Sequence, residues 1–147
     1  MQFKVLKDKN EAKAVLCHPA IYPLIGSDHA PPVDEYEPGE AIYYGGCVDG
    51  DLVAVMVFHY KSATLGQCHI QVLPDYRKDY ADKFTESALY WWFTVHNVKL
   101  MAEIPEIYPN VIYFGLKHGF KIDGRVDHAY LKGGKLHSIY YLSHEVP

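Results

Sequence analysis

The stretch 68–82 constrains the fold more than any other part of the chain, because it changes from a strand pattern to a helix pattern within a few residues. Residues 68–73 are mostly apolar, which is typical of a buried strand. Pro74 ends that strand, and a short basic loop then leads into a helix that we expect from about Lys78 to His96. A buried strand that leads through a short loop into a helix predicts a fold in which strands and helices alternate.

The remaining sequence supplies further elements around this unit. Strands are predicted at 2–7, 41–48, 52–60, 98–104, 120–131 and 135–142, and tight turns at Gly50 and at Gly133-Gly134 join two pairs of them. Asn10 can cap a first helix that Pro19 stops, a short helix follows at 21–25, and another runs from about 108 to 117 with Gly119 closing it. An apolar stripe through Phe84, Ala88, Trp91 and Val95 marks the buried face of the helix at 78–96.

Length, charge and cysteine content exclude several functions. The chain has 147 residues, which fits one compact domain, and a net charge of −4, which argues against a nucleic-acid binder. No apolar run reaches the roughly 20 residues of a membrane span. The three cysteines are odd in number and widely spaced, so we expect free thiols and a cytoplasmic location. The nine histidines show no H-x-x-x-H spacing and no G-x-S-x-G appears, so neither a metal site nor a hydrolase triad is expected.

Two motifs in this order resemble the GNAT acyltransferase superfamily. The first is V-x-P-x-x-R, formed by Val72, Pro74 and Arg77, and the second is the helix end that leads into Gly119-Phe120. The resemblance implies one GNAT-like α/β (α+β) domain over residues 1–147. Its mixed sheet would have six or seven strands, with helices on its flanks. The parallel strands at 68–73 and 98–104 would splay apart at its centre.

The resemblance also implies a function. GNAT enzymes transfer an acetyl group from acetyl-CoA to an amine of a small molecule or a protein. The pantetheine arm of CoA lies between the splayed strands, and its pyrophosphate binds N–H groups and basic side chains of the loop before the helix. In this chain the implied cofactor-binding residues are Ile70, Gln71, Val72, Arg77, Lys78, Asp79, Tyr80, Ala81, Asp82, Lys83 and Asn110.

Three positions depart from the family pattern. Tyr80 and Asp82 stand where the loop pattern R/Q-x-x-G-x-G/A has small residues. Gly115 stands where many members have a tyrosine that protonates the departing thiolate, and we expect the nearby Tyr113 to point away from the site.

The candidate bases are His69 and Glu103, one on each splayed strand. Each also has a structural interpretation. His69 can be a hydrogen-bonded sheet histidine, and Glu103 can be a solvated carboxylate at the end of a strand.

A second function fits the same departures. The C-terminal third is similar to GNAT-like proteins of bacteriophages, which implies a catalytically silent protein of head assembly, of the virion or of host interaction. Its partner would be a phage structural protein or a host protein.

If the protein is an enzyme, its acceptor is an amine. Five acidic residues near the expected acceptor groove would favour a cationic one, although they also fit a solvated loop: Asp28, Asp34, Glu35, Glu37 and Glu40. The sequence leaves the oligomeric state open, with a homodimer as one option.

Overall fold

The protein is built on one mixed sheet of seven strands, in the order β1-β2-β3-β4-β5-β7-β6. The computed structural model describes all residues from 1 to 147. The strands are β1 (Gln2–Val5), β2 (Ile42–Val48), β3 (Asp51–Ser62), β4 (Leu65–Val72), β5 (Lys99–Pro105), β6 (Lys121–Lys132) and β7 (Lys135–His144). The helices are α1 (Lys13–Leu16), α2 (Tyr22–Ile25), α3 (Pro74–Val95) and α4 (Pro109–Lys117). The predicted α/β fold with six or seven strands is therefore confirmed.

The helices cover the two faces of the sheet with separate apolar clusters. On one face, α3 packs Phe84, Ala88 and Trp92 against the strands, and Ile112 of α4 joins the same cluster. On the other face, α1 packs against a smaller cluster that includes Val57 of β3. We call these the α3 face and the α1 face. None of the helices combines the length and the hydropathy that a membrane-spanning helix needs.

The strands β4 and β5 are parallel but hydrogen-bonded over only three residue pairs. The pairs are Leu65 with Lys99, Gly66 with Leu100, and Gln67 with Met101. Beyond them β4 continues to Val72 and β5 to Pro105 without pairing with each other. The predicted splay is confirmed. We call the opening between residues 68–72 and 102–105 the slot.

The closed end of the slot is fixed by one tryptophan. The Trp92 ring stacks on Phe58 with centroids 4.8 Å apart. Its Nε1–H donates a hydrogen bond of 2.7 Å to the carbonyl oxygen of Val98, directly before β5. A Cβ atom at Gly66 would lie 2.5 Å from this ring, so only glycine leaves room for it. Trp92 therefore ties α3 to the point where β4 and β5 are still paired.

Three details of the sequence prediction were wrong. The helix α3 begins at Pro74 and not at Lys78, because proline is well suited to the first helical position and no glycine interrupts the residues that follow. The short helical turn Lys9–Ala12, which precedes α1, is capped by Asp8 and not by Asn10. The Asp8 carboxylate accepts from the Asn10 N–H at 2.9 Å. On α3 the buried ring is Trp92, whereas Val95 is 59% exposed.

The closed end makes a stability prediction. Gly66→Ala forces a methyl group against the Trp92 ring and should lower the free energy of unfolding by about 1–3 kcal/mol, the usual cost of overpacking. Urea denaturation measures the change. Gly39→Ala is the matched control, because a Cβ there meets nothing within 4 Å. Equal stability of the two variants would contradict the role of the Gly66–Trp92 contact.

Candidate active site

The two candidate bases lie opposite each other at the inner end of the slot. His69 and Glu103 each stand two residues beyond the last paired positions, Gln67 and Met101. Because side chains alternate along a strand, both project from the face that those paired residues share. That face is the α1 face, since His69 is the β3 partner of Val57. The structure thus brings together two residues that sequence reasoning could only place on separate strands.

His69 is available as an unprotonated base. More than a third of the residue is exposed to solvent, and the rest is enclosed by the protein around β3 and β4. Desolvation by this surrounding protein, and then the nearby His59, lower the pKa of His69. The imidazole is therefore neutral at pH 7. No side-chain hydrogen bond of the protein engages it, and the two interpretations of His69, a base and a structural histidine of the sheet, stay predictions.

Glu103 is exposed on β5, opposite Tyr141 of β7. The ion pairs and side-chain hydrogen bonds of the protein leave its carboxylate free. It can therefore attract or align a positively charged group that enters from the α1 face.

The edges of the slot suit an extended, amide-bearing ligand. Ile70, Gln71 and Val72 pair with β3 on one side only, so the backbone groups that face β5 have no strand partner. One of these groups is satisfied locally, because Arg77 Nε donates to the carbonyl oxygen of Val72 at 2.9 Å. The unpaired backbone groups can take hydrogen bonds from a ligand in the manner of an added strand.

The expected pyrophosphate loop is absent, which corrects the sequence interpretation. Residues 77–82 lie inside α3, so the N–H groups of residues 78–83 are used by the helix itself. Near the helix start, the Tyr76 N–H bonds to the Leu73 carbonyl at 2.9 Å, and Asp75 places a carboxylate in the first turn. The Arg77 guanidinium is directed to Val72, as described above. This region does not fit a diphosphate as the loop of the GNAT pattern would.

Asp82 joins the two helices of the α3 face. Its carboxylate accepts from Lys117 Nζ at 2.8 Å and from His118 Nε2 at 2.8 Å, both at the end of α4. The hydrogen bond from Lys117, followed by that from His118, lowers the pKa of Asp82. This carboxylate, which sequence analysis placed among the cofactor ligands, is engaged within the protein. We call this group the Asp82 bridge.

The remaining predicted site residues do not converge on the slot. Lys78, Asp79 and Lys83 are exposed along α3, and Tyr80 lies beside Tyr76 with ring centroids 6.2 Å apart. Ala81 packs at the edge of the core below α3.

The α4 residues also lie apart from the slot. Asn110 is exposed in the first turn of α4, and Tyr113 is 70% exposed, as predicted. Gly115 faces the sheet, where a Cβ would lie 3.1 Å from Leu142, so Leu142 would have to shift to admit a side chain at this position.

Asp28 makes a contact that the sequence did not predict. Asp28 accepts from the N–H groups of Gly133 and Gly134 at 2.9 and 2.8 Å, which lowers its pKa. Lys132 donates to the carbonyls of Pro23 in α2 and of Gly26 directly after it. The tip of the β6–β7 hairpin is therefore fastened to the loop after α2. A Gly-Gly turn is visible in the sequence, but its distant partner is not.

The acidic loop offers less free charge than its sequence suggests. Glu37 pairs with Lys13 at 3.4 Å, and Glu40 pairs with Lys9 at 2.6 Å. With Asp28 bound to the hairpin, Asp34 and Glu35 are the loop carboxylates without such partners. The argument for a cationic acceptor consequently depends more on Glu103 than on this loop.

Two tyrosines beside the mouth of the slot were also missed. Tyr108 directly precedes α4 and lies near Tyr130 of β6. Burial, followed by the neighbouring Tyr108, raises the pKa of Tyr130 to about 12, so Tyr130 remains a neutral hydrogen-bonding group. The only signal in the sequence was the count of thirteen tyrosines.

Comparisons with solved structures agree with this architecture. The spermidine N-acetyltransferase SpeG F149A mutant from Vibrio cholerae superimposes with a TM-score of 0.80 at 13% identity, over 99% of this chain and 95% of that one. The acetyltransferase of the GNAT family from Streptococcus pneumoniae gives 0.70 at 14% identity, over 97% and 98%. The protein smu.2055 from Streptococcus mutans gives 0.77 at 12% identity, over 100% of both chains.

No family model matches the sequence, and no curated protein matches it either. The structural likeness shows that this chain has the fold of the GNAT N-acetyltransferases. None of the three structures described above is a bacteriophage protein, so that part of the sequence interpretation stays a prediction.

The Asp82 bridge makes a pH-dependent stability prediction. Because its folded-state pKa lies below the ordinary 3.8, Asp82 stabilises the fold above that pH, and the contribution disappears as the pH falls through the folded-state pKa. Asp82→Asn should therefore be less stable than the parent by a constant amount above about pH 5, and by a shrinking amount in more acidic solution. Urea denaturation at several pH values measures both.

The matched control for this prediction is Asp79→Asn, which removes the same charge one helical turn away without breaking a bridge. Its stability relative to the parent should follow no such profile. A deficit of Asp82→Asn that is the same at every pH would show that the bridge is not electrostatic.

Proposed function

We propose that the protein is an N-acetyltransferase that moves an acetyl group from a CoA-type thioester to an amine. The observation that carries the proposal is the slot, with His69 and Glu103 facing each other at its inner end on the α1 face. A thioester arm lying in the slot would bring its acyl carbon to that point. The amine would enter from the α1 face, below the hairpin that Asp28 fastens.

The two facing side chains have different roles in this proposal. The acceptor ammonium first loses a proton to water. His69 is neutral at pH 7 because its pKa is lowered to about 4, so it can take the second proton, which the attacking nitrogen loses as the C–N bond forms. Glu103 holds the incoming cation and aligns it. As the new C–N bond forms, the C–S bond breaks, and the thiolate leaves with the shared electron pair. Since Gly115 supplies no acid, the thiolate takes a proton from water, and the resulting hydroxide takes the proton that His69 holds.

A cationic amine is the acceptor class that fits these charges. Glu103 is a free carboxylate at the inner end, and the net charge of the chain is −4. The spermidine N-acetyltransferase that shares this fold acts on a polyamine, which recommends polyamines for the acceptor panel, together with small amines and lysine peptides. A cytoplasmic location and a homodimer remain proposals of the same kind.

The roles of His69 and Glu103 can be separated by kinetics. His69→Gln should lower kcat/KM by roughly 10²-fold, the usual contribution of positioned proton transfer. Because the pKa of His69 is lowered, the parent profile should have a limb that rises with pH below 6.5, and this limb should vanish in the variant. Glu103→Gln should mainly raise KM for a dicationic acceptor, with a smaller effect for a monocationic one.

Glu86→Gln is the control, since Glu86 is exposed on α3 away from the slot. Circular dichroism confirms that each variant is folded. If both site variants keep the parent kcat/KM at every pH, His69 and Glu103 take no part in the reaction.

A catalytically silent GNAT-fold protein is the second candidate. It is supported by the engaged Arg77 and Asp82 side chains and by the absent pyrophosphate loop. Its role would be in bacteriophage assembly, in the virion or in host interaction. Calorimetric titration with acetyl-CoA separates the candidates, because the silent protein gives no binding heat and no acetylated product with any amine.

A further inference from the structure

The structure keeps one half of a CoA site and lacks the other. The slot fits the pantetheine arm, whereas the α3 region does not fit the diphosphate. This disagreement is the basis of a further inference, which also rests on the proposed function. We propose that the site takes acyl thioesters of pantetheine, and that an adenosine diphosphate group on the donor adds little to binding or rate. The donor class would therefore include pantetheine and 4′-phosphopantetheine thioesters as well as CoA thioesters.

The backbone at the start of α3 offers few hydrogen-bond donors for a diphosphate. A diphosphate needs free N–H groups, and a helix N-terminus supplies them only in its first turn. Here the first residue is Pro74, which has no N–H, and the Tyr76 N–H is bonded to Leu73, so the Asp75 N–H is the free donor among the first three helical residues. The Asp75 carboxylate already complements the positive end of the helix and repels a phosphate group.

The second argument is the charge of the same helix. Its first three turns carry three basic and three acidic side chains: Asp75, Arg77, Lys78, Asp79, Asp82 and Lys83. They sum to zero, so no net positive field attracts the phosphates of CoA. Arg77, the cation nearest the mouth, is directed to the Val72 carbonyl.

The third argument is the Asp82 bridge. Asp82 lies eight residues into α3, about 12 Å from the helix start, and its partners lie at the far end of α4. The bridge therefore joins the two helices that cover the α3 face. Asp82 thus already engages the Lys117 and His118 side chains, which could otherwise form hydrogen bonds with a phosphate group between these helices.

The test compares two donors on the intact protein. S-acetylpantetheine and acetyl-CoA carry the same arm and the same thioester. They differ because only acetyl-CoA carries the phosphorylated adenosine diphosphate group. We expect their kcat/KM values to agree within about tenfold. Calorimetry with the thiols pantetheine and CoA should give Kd values that agree equally well. Each charge-assisted hydrogen bond to the diphosphate would add roughly tenfold or more, so a real diphosphate site requires a larger difference.

The variants test the bridge directly. Asp82→Asn frees Lys117 and His118 and should tighten CoA binding, while pantetheine binding stays unchanged. Asp79→Asn corrects for the loss of one negative charge from the same helix. Equal effects of the two variants on CoA affinity would show that Asp82 does not occupy a phosphate position.

The outcomes separate the two proposals. Similar constants for both donors support the inference. An advantage of more than about tenfold for acetyl-CoA overturns the inference and leaves the N-acetyltransferase in place. If neither donor binds or reacts, the proposed function fails and the inference fails with it.

Discussion

The rest of the structure depends on the short pairing between β4 and β5. Three residue pairs hold the two strands together, and the strands then diverge while β3 and β7 keep their outer edges paired. The closed end is held by Trp92, which fills the space that Gly66 leaves and bonds to Val98. Since buried or half-buried backbone groups need partners, the diverging edges form a natural place for an amide-bearing ligand. The same divergence puts His69 and Glu103 across an opening and not in direct contact.

The two faces of the slot have different properties. On the α1 face the slot ends in a neutral histidine and a free carboxylate, and the fastened β6–β7 hairpin lies nearby. On the α3 face the helices are joined through Asp82, and the nearby arginine bonds to the backbone. The α1 face of the slot therefore keeps groups that can do chemistry, whereas the groups on the α3 face are used for structure. This difference allows an active enzyme with an unusual donor, and it is also the observation that favours a silent protein.

The sequence predicted the fold well because the fold depends on local patterns. Val72, Pro74, Arg77 and the Gly119-Phe120 pair occur in the right order, and seven strand patterns surround them. The start of α3 was wrong because the GNAT pattern implied a loop, whereas the residues actually present, beginning with Pro74, are compatible with a helix. The partners of Arg77, Asp82 and Asp28 could not be predicted, since the last two bond to residues 35 or more positions away along the chain. That His69 and Glu103 lie opposite each other could not be predicted either, because it follows from the register of β4 and β5, which sequence patterns do not specify.

Hydrogen–deuterium exchange with and without acetyl-CoA tests the central claim most directly, because it reports on the amides that a donor would use. The account predicts that those amides in 68–72 and 102–105 that face the slot exchange readily in the free protein and become protected when the donor binds. It predicts no change for residues 78–83, whose N–H groups are already bonded within α3. New protection at 78–83 without protection along the slot would contradict the account.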